Sequence, residues 1–269
     1  MPMIRNVLSI AGSDPSGGAG IQADVKAISA NGCYAMAAIT ALTAQNTRGV
    51  SGIELVPADF VTAQIDALFA DIRIDAVKIG MLATQEIIIA VADAMRRHSA
   101  RHIVLDPVMV AKGGDRLLSV QAVAVLIENL LPLAEVLTPN LPEAAALLVA
   151  TEPEDRSAMA DLAEQLRTLG PRNVLLKGGH LMAGDSPDYL CMESSGHWLE
   201  GVRKATCNTH GTGCTLSSAL AAQLALTEDV LEAARRAKAY VAGAIAQASQ
   251  LHVGSGHGPT HHFHRLYQE

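Results

Sequence analysis

The residues His210-Gly211-Thr212-Gly213-Cys214 run straight into Thr215-Leu216-Ser217-Ser218-Ala219-Leu220-Ala221-Ala222, a helix-forming stretch. A glycine-rich turn entering a helix leaves backbone N–H groups unpaired at the positive end of the helix dipole. Such a turn is an anion site made of main chain alone, suited to a phosphate or to charge developing on one in transfer. Cys214 stands in its mouth. A thiol at a helix N-terminus is expected to ionise below its usual range, so its thiolate could serve as a base.

Other segments carry chemistry only in combination. Lys177-Gly178-Gly179-His180 follows a strand-like run. It is either a solvated strand end or a point charge reaching a phosphate that the glycines let come close. Thr138-Pro139-Asn140-Leu141-Pro142-Glu143 is either an ordinary helix start or an amide and a carboxylate on one face, able to hold water around Mg²⁺. Asp106, in Asp106-Pro107-Val108, could order a metal or a water, or cap a turn. The loop from Ala11 through Gly12-Ser13-Asp14-Pro15-Ser16-Gly17-Gly18-Ala19-Gly20 has the glycine spacing of neither a P-loop nor a dinucleotide fingerprint. It reads as a tight strand-to-helix turn or as a backbone closing over a small ligand, with Asp24 one helical turn further on. The histidines between 256 and 264 fit no zinc spacing, and a structured terminus near the active-site rim is expected there instead.

These residues need a frame, and the chain of 269 residues supplies one. Hydrophobic residues make up 49% and aromatics only 3%, a balance that suits helices packed on a buried parallel sheet. The net charge of −7 argues against a nucleic-acid partner bound through a broad basic surface. Cys33, Cys191, Cys207 and Cys214 form no C-x-x-C pair, and no signal pattern or apolar run of membrane length is present. A reducing, cytoplasmic setting without membrane association is therefore expected.

Apolar runs at 7–11, 34–42, 76–79, 102–105, 136–137 and 173–176 read as strands. Amphipathic stretches at 19–31, 58–70, 84–97, 120–130, 141–149, 156–169, 213–226 and 230–251 read as helices, and 188–192 with 197–201 as a hairpin. Repeated βα units predict a mostly parallel sheet covered on both faces, with ligands at the carboxyl ends of the strands. No linker or repeat divides the chain, so one α/β domain over 1–269 is expected.

Taken in order, these segments resemble the ribokinase superfamily, and within it the hydroxymethylpyrimidine/phosphomethylpyrimidine kinases of thiamine biosynthesis. Thr43-Ala44-Gln45-Asn46-Thr47, Lys78-Ile79-Gly80-Met81-Leu82 and Leu105-Asp106-Pro107-Val108-Met109 extend the likeness across nearly the whole chain. The resemblance implies a ribokinase-like fold with no separate lid domain, and transfer of the ATP γ-phosphoryl group to 4-amino-5-hydroxymethyl-2-methylpyrimidine, then to its monophosphate. It further implies that Asp24 and Gln45 hydrogen-bond the aminopyrimidine while Met81 and Val108 pack on its ring. Asn140 and Glu143 would organise Mg²⁺ and its waters with Asp106 nearby, and Lys177 would bind ATP phosphates. Gly211, Thr212, Gly213 and Cys214 would stabilise the transferring group, with Cys214 as base where many superfamily members carry Asp. A homodimer is expected by analogy, and closure by loops such as 106–116.

A non-catalytic, phosphate-sensing relative is disfavoured by intact Lys177, Asn140, Glu143 and Cys214, and two rival readings stay open at this stage. A pyridoxal kinase would share fold and chemistry, though Gln45 with Met81 favours the pyrimidine. A Cys214-nucleophile hydrolase or acyltransferase would need His210 turned across the glycine turn and a third, orienting group.

Overall fold

The computed structural model of the chain describes residues 3–109, 118–181 and 184–267. Along the described residues the elements are β1 (Asn6–Ala11), α1 (Gly20–Ala30), β2 (Tyr34–Ile39), β3 (Ala41–Asn46), β4 (Gly49–Leu55) and α2 (Ala58–Asp71). Then come β5 (Ala76–Ile79), α3 (Gln85–Arg97), β6 (Ile103–Leu105), α4 (Val120–Asn129), β7 (Val136–Leu137) and α5 (Leu141–Leu148). The remainder is α6 (Arg156–Arg167), β8 (Asn173–Lys177), β9 (Asp188–Cys191), β10 (Gly196–Leu199), α7 (Thr212–Thr227) and α8 (Val230–Ala246).

One eight-stranded sheet runs β10-β9-β8-β7-β6-β5-β1-β2, parallel from β8 to β2 and antiparallel at the β8–β9–β10 edge. Successive strand residues point to opposite faces, and the sequence fills both with apolar side chains. Leu8, Ile10, Val77, Ile79, Ile103 and Leu105 join one core with residues of α2 to α6. Val7, Ala76, Val104, Val136 and Leu175 join a second with α1, α7 and α8. Helices therefore cover both faces, as the repeated βα pattern predicts.

Three elements differ from the sequence-based expectation. The run 34–42 is not one strand. It breaks at Thr40, whose hydroxyl donates to Met81 O (2.7 Å) and whose backbone N–H donates to Ala11 O (3.0 Å). The chain then leaves the main sheet as β3, which pairs antiparallel with β4 in a separate two-stranded ribbon. Strand β4, Gly-Val-Ser-Gly-Ile-Glu-Leu, has too little apolar alternation to be seen in advance. At the other end, the stretch 230–251 stops being α-helical at Ala246 and finishes with a 3₁₀ turn at Ala248–Gln250.

The histidine tail packs inward. His261, His262 and His264 are buried, Tyr240 donates its hydroxyl to His262 O (2.7 Å), and Pro259 bridges to His210. Among the described residues no cluster of three or more His, Cys, Asp or Glu side chains is arranged to hold a metal. None of the described helices is long and apolar enough to cross a membrane.

Candidate active site

The carboxyl ends of β1, β5, β6, β7 and β8 deliver Gly12, Met81, Asp106, Asn140 and Lys177 to one rim, as expected for ligand binding beside a topological switch, here between β1 and β5. They border a cavity of about 1380 Å³ that Gln45, Val108, Glu143 and Gly211 to Cys214 also line. The β3–β4 ribbon closes one side with Thr43, Gln45, Val50 and Ile53. Of the residues singled out in the sequence, Asp24 alone does not reach this cavity. Of the loop 106–116, residues 110–116 lie outside the described ones.

The glycine turn at the start of α7 forms where its sequence predicts. Gly211 takes φ +72°, a left-handed conformation that glycine adopts without strain, and caps α7. A Cβ at Gly211 would strike Gly18 O, so the two glycine-rich loops touch here. The first helical bond runs from Thr215 N to Gly211 O (2.8 Å), which leaves the N–H groups of Gly213 and Cys214 ahead of the ladder. Lys177 Nζ and Asp106 Oδ2 approach Gly213 closely enough that a Cβ there would sit 3.3 and 3.5 Å from them.

Lys177 donates to Asp106 Oδ1 (2.9 Å) and lies 3.8 Å from Glu143 Oε2. Burial pushes its pKa down, but Asp106 and Glu143 outweigh burial and hold it above the usual lysine range. Glu143 is raised as well, but here burial wins and the charged form is disfavoured. Burial raises its pKa and Asp106 adds to the rise, while Lys177 opposes it. Glu143 is also half of a capping box, accepting Asn140 N (2.8 Å) while Asn140 Oδ1 accepts Glu143 N (2.8 Å). The plain helix-start reading of this motif is thus realised, and the Asn140 side-chain oxygen is committed to the cap.

A magnesium ion binds through one or two carboxylates, phosphate oxygens and retained waters. Asp106 and Glu143, facing each other across Lys177, fit an ion that arrives with a nucleotide; they do not form a self-sufficient cage. Asn140 fits such an ion only through the helix start it holds in place.

Two corrections to expectation concern Cys214 and Asp24. The Cys214 thiol is not acidified in the resting protein. Burial pushes its pKa up to about 11, with Lys78 pulling down and Asp24 and Asp106 pushing up. Desolvation of a thiolate in this pocket outweighs the helix terminus. Asp24 lies beneath the floor, where it accepts Lys78 Nζ (2.7 Å), Ser9 Oγ (2.6 Å) and Ser218 Oγ (2.7 Å). Fully buried and held by three donors, it is the counter-ion of Lys78 and does not line the cavity.

Sequence reasoning missed Lys78, Asp14 and His210 as site residues. Lys78 reaches the cavity and is fully buried. Burial lowers its pKa, but Asp24, Cys214 and Asp106 together raise it above the usual range. Its signal was legible, since a lysine inside the four-residue buried strand Ala-Val-Lys-Ile demands a partner. Asp14 organises the first glycine-rich loop by accepting Ser16 N (2.9 Å), Gly18 N (3.2 Å) and Ala19 N (2.8 Å). His210 Nε2 lies 2.9 Å from Asp14 Oδ2, a contact across 196 residues that no local pattern encodes.

Fold and site together define an α/β kinase of ribokinase-like architecture, with no separate lid domain among the described residues. The phosphomethylpyrimidine kinase family profile matches residues 14–261. The chain is 51% identical to the hydroxymethylpyrimidine/phosphomethylpyrimidine kinase of Escherichia coli, over 96% of this chain and 97% of that one. It belongs to the phosphomethylpyrimidine kinase family and is a phosphotransferase. Among solved structures, it resembles an ADP complex of Bacillus subtilis pyridoxal kinase (TM-score 0.91, 35% identity, 99% of this chain and 100% of that one). It also resembles the phosphomethylpyrimidine kinase of Clostridium difficile (TM-score 0.80, 41% identity, 90% and 99%).

Proposed function

We propose that the protein transfers the γ-phosphoryl group of ATP to 4-amino-5-hydroxymethyl-2-methylpyrimidine and then to its monophosphate, supplying the pyrimidine diphosphate for thiamine biosynthesis. One observation carries the reading. One cavity is lined both by Gln45, Met81 and Val108, side chains suited to a flat, polar-edged ring, and by Lys177 with the Gly211-to-Cys214 turn, suited to phosphates.

In this reading Met81 and Val108 grip the ring faces and the Gln45 amide reads its edge. Lys177 holds the phosphates as a point charge, and the N–H groups at the start of α7 receive charge developing on the transferring group. Mg²⁺, held beside Asp106 and Glu143, would neutralise phosphate charge when bound. The substrate oxygen bonds to the γ-phosphorus, the bond to the bridging oxygen breaks, and ADP leaves. Cys214 accepts the hydroxyl proton. Its thiol is protonated at rest, so this role requires the ionised minority form. Asp24 acts through Lys78, as its counter-ion. Ala242 and Ile245 of α8, which also line the cavity, are assigned to the adenine. The same domain works as a homodimer in the cytoplasm.

The likeness to a pyridoxal kinase favours pyridoxal phosphorylation as a second reading. A Cys214-nucleophile hydrolase is disfavoured, because burial keeps the Cys214 thiol protonated, with its pKa pushed up to about 11. A coupled assay with Mg-ATP and hydroxymethylpyrimidine, its monophosphate or pyridoxal separates the readings. Turnover of both pyrimidines with poor use of pyridoxal is expected. Turnover of pyridoxal alone would overturn the substrate assignment.

A further inference from the structure

Three separate pieces of chain meet at His210. It opens the anion turn, its Nε2 lies 2.9 Å from Asp14 Oδ2 in the first glycine-rich loop, and it faces Gln45 on the β3–β4 ribbon. All three residues line the cavity. Asp14 is buried, and hydrogen bonds from His210, Ser16 and Ala19 hold it ionised against the opposing effect of burial. An ionised carboxylate only accepts, so the proton of the His210 ring sits on Nε2 and is donated to Asp14.

That proton has a consequence for Gln45. Gln45 Nε2 stands 3.4 Å from His210 Nε2, and Gln45 Oε1 stands 3.4 Å from Thr43 Oγ1. Which end of an amide is oxygen is decided by the surrounding hydrogen-bond network. The one Nε2–H of His210, donated to Asp14 at 2.9 Å, also faces the Gln45 amide at 3.4 Å, and this shared hydrogen calls for oxygen on its side. The Thr43 hydroxyl already donates to Ser13 O (2.9 Å), which leaves it an acceptor and calls for nitrogen on its side. Both neighbours demand the same reversal. So turned, the amide keeps one lone pair and one N–H for the cavity.

We propose that His210, held by Asp14, is a specificity-determining positioning residue: it locks the Gln45 amide so that the cavity meets an acceptor and a donor side by side. This pair complements a ring nitrogen next to an exocyclic amine, the edge of an aminopyrimidine. Pyridoxal has no such amine and gains nothing from it. The inference rests on the proposed pyrimidine kinase function, and deepens it.

The test is a double-variant cycle read as KM for hydroxymethylpyrimidine and for ATP, with pyridoxal as competitor substrate. His210→Phe keeps the ring volume and deletes Nε2, while His210→Gln returns an amide donor at similar reach. We expect His210→Phe to raise the pyrimidine KM about tenfold, leave the ATP KM unchanged and narrow the pyrimidine-over-pyridoxal preference. His210→Gln should recover most of the loss. With Gln45→Leu already in place, His210→Phe should add almost nothing, because the two act as one unit. Losses that multiply in the double variant, or an equal rise in the ATP KM, would sink the proposal while leaving the kinase function standing. A wild-type protein that ignores the pyrimidine, or Gln45→Leu with an unaltered pyrimidine KM, would overturn the underlying reading and this inference with it. Asp14→Asn supports the same cycle, with the same masking expected, should His210→Phe fail to fold.

Discussion

Lys78 Nζ lies 2.7 Å from Asp24 Oδ2 under the cavity floor, and neither side chain touches solvent. Ser9 and Ser218 complete the shell around the carboxylate. Removing one member leaves an uncompensated buried charge, which costs about 3–5 kcal/mol. Asp24→Asn and Lys78→Met should each lower stability by that order in urea unfolding. The double variant should be more stable than the sum of the two predicts. Strict additivity would show that the pair is not coupled.

Gly211 is where two loops touch, and its φ of +72° is open to glycine but strained for most other residues. Gly211→Ala should push Gly18 away and turn the N–H groups of Gly213 and Cys214 off the phosphate. Misaligning one such donor typically costs about 100-fold in kcat. We expect a loss of that size with a much smaller change in pyrimidine KM, measured in steady-state kinetics alongside circular dichroism. A native kcat would show that the turn plays no part in the transfer.

Asp14 titrates near 2 in the folded protein instead of at its ordinary 3.8. Burial raises it, but the bonds from His210, Ser16 and Ala19 win. A depressed carboxylate contributes stability that is complete above the unfolded value and disappears as pH falls through the folded one. Between about pH 4 and 2 the protein should therefore lose about 2 kcal/mol through this group alone. Asp14→Asn should be less stable at pH 6 and show a flatter acid limb. An unchanged limb would show that Asp14 is not held ionised by its partners.

Cys214 keeps its proton up to about pH 11 in the resting protein. If its thiolate takes the substrate proton, kcat/KM for the pyrimidine should climb about tenfold per pH unit between 7 and 9, as the reactive fraction does. Iodoacetamide alkylation of Cys214 should follow the same slope. A flat rate profile beside a sloping alkylation profile would assign Cys214 to shaping the pocket, with positioning and charge stabilisation carrying the transfer.

The order of βα units, the two-faced sheet and the glycine turn into α7 were all legible in sequence, because each depends on neighbours in the chain. Alternating apolar residues set strand faces, and glycine ahead of a run of helix formers sets the turn at Gly211. Lys177 and Asp106 were legible for the same reason, as one ends a buried strand and the other directly follows one. The break at Thr40 was not, since it depends on a bond to Met81 O from another strand. Nor was the burial of Asp24, whose fate is settled by Lys78 and Ser218, 54 and 194 residues away. Cys214 shows the division best. Its place at a helix start follows from local sequence, but its protonation depends on how much water and charge the folded surroundings leave beside it. Desolvation and long-range pairing arise only when distant segments pack together, so only the tertiary structure could decide them.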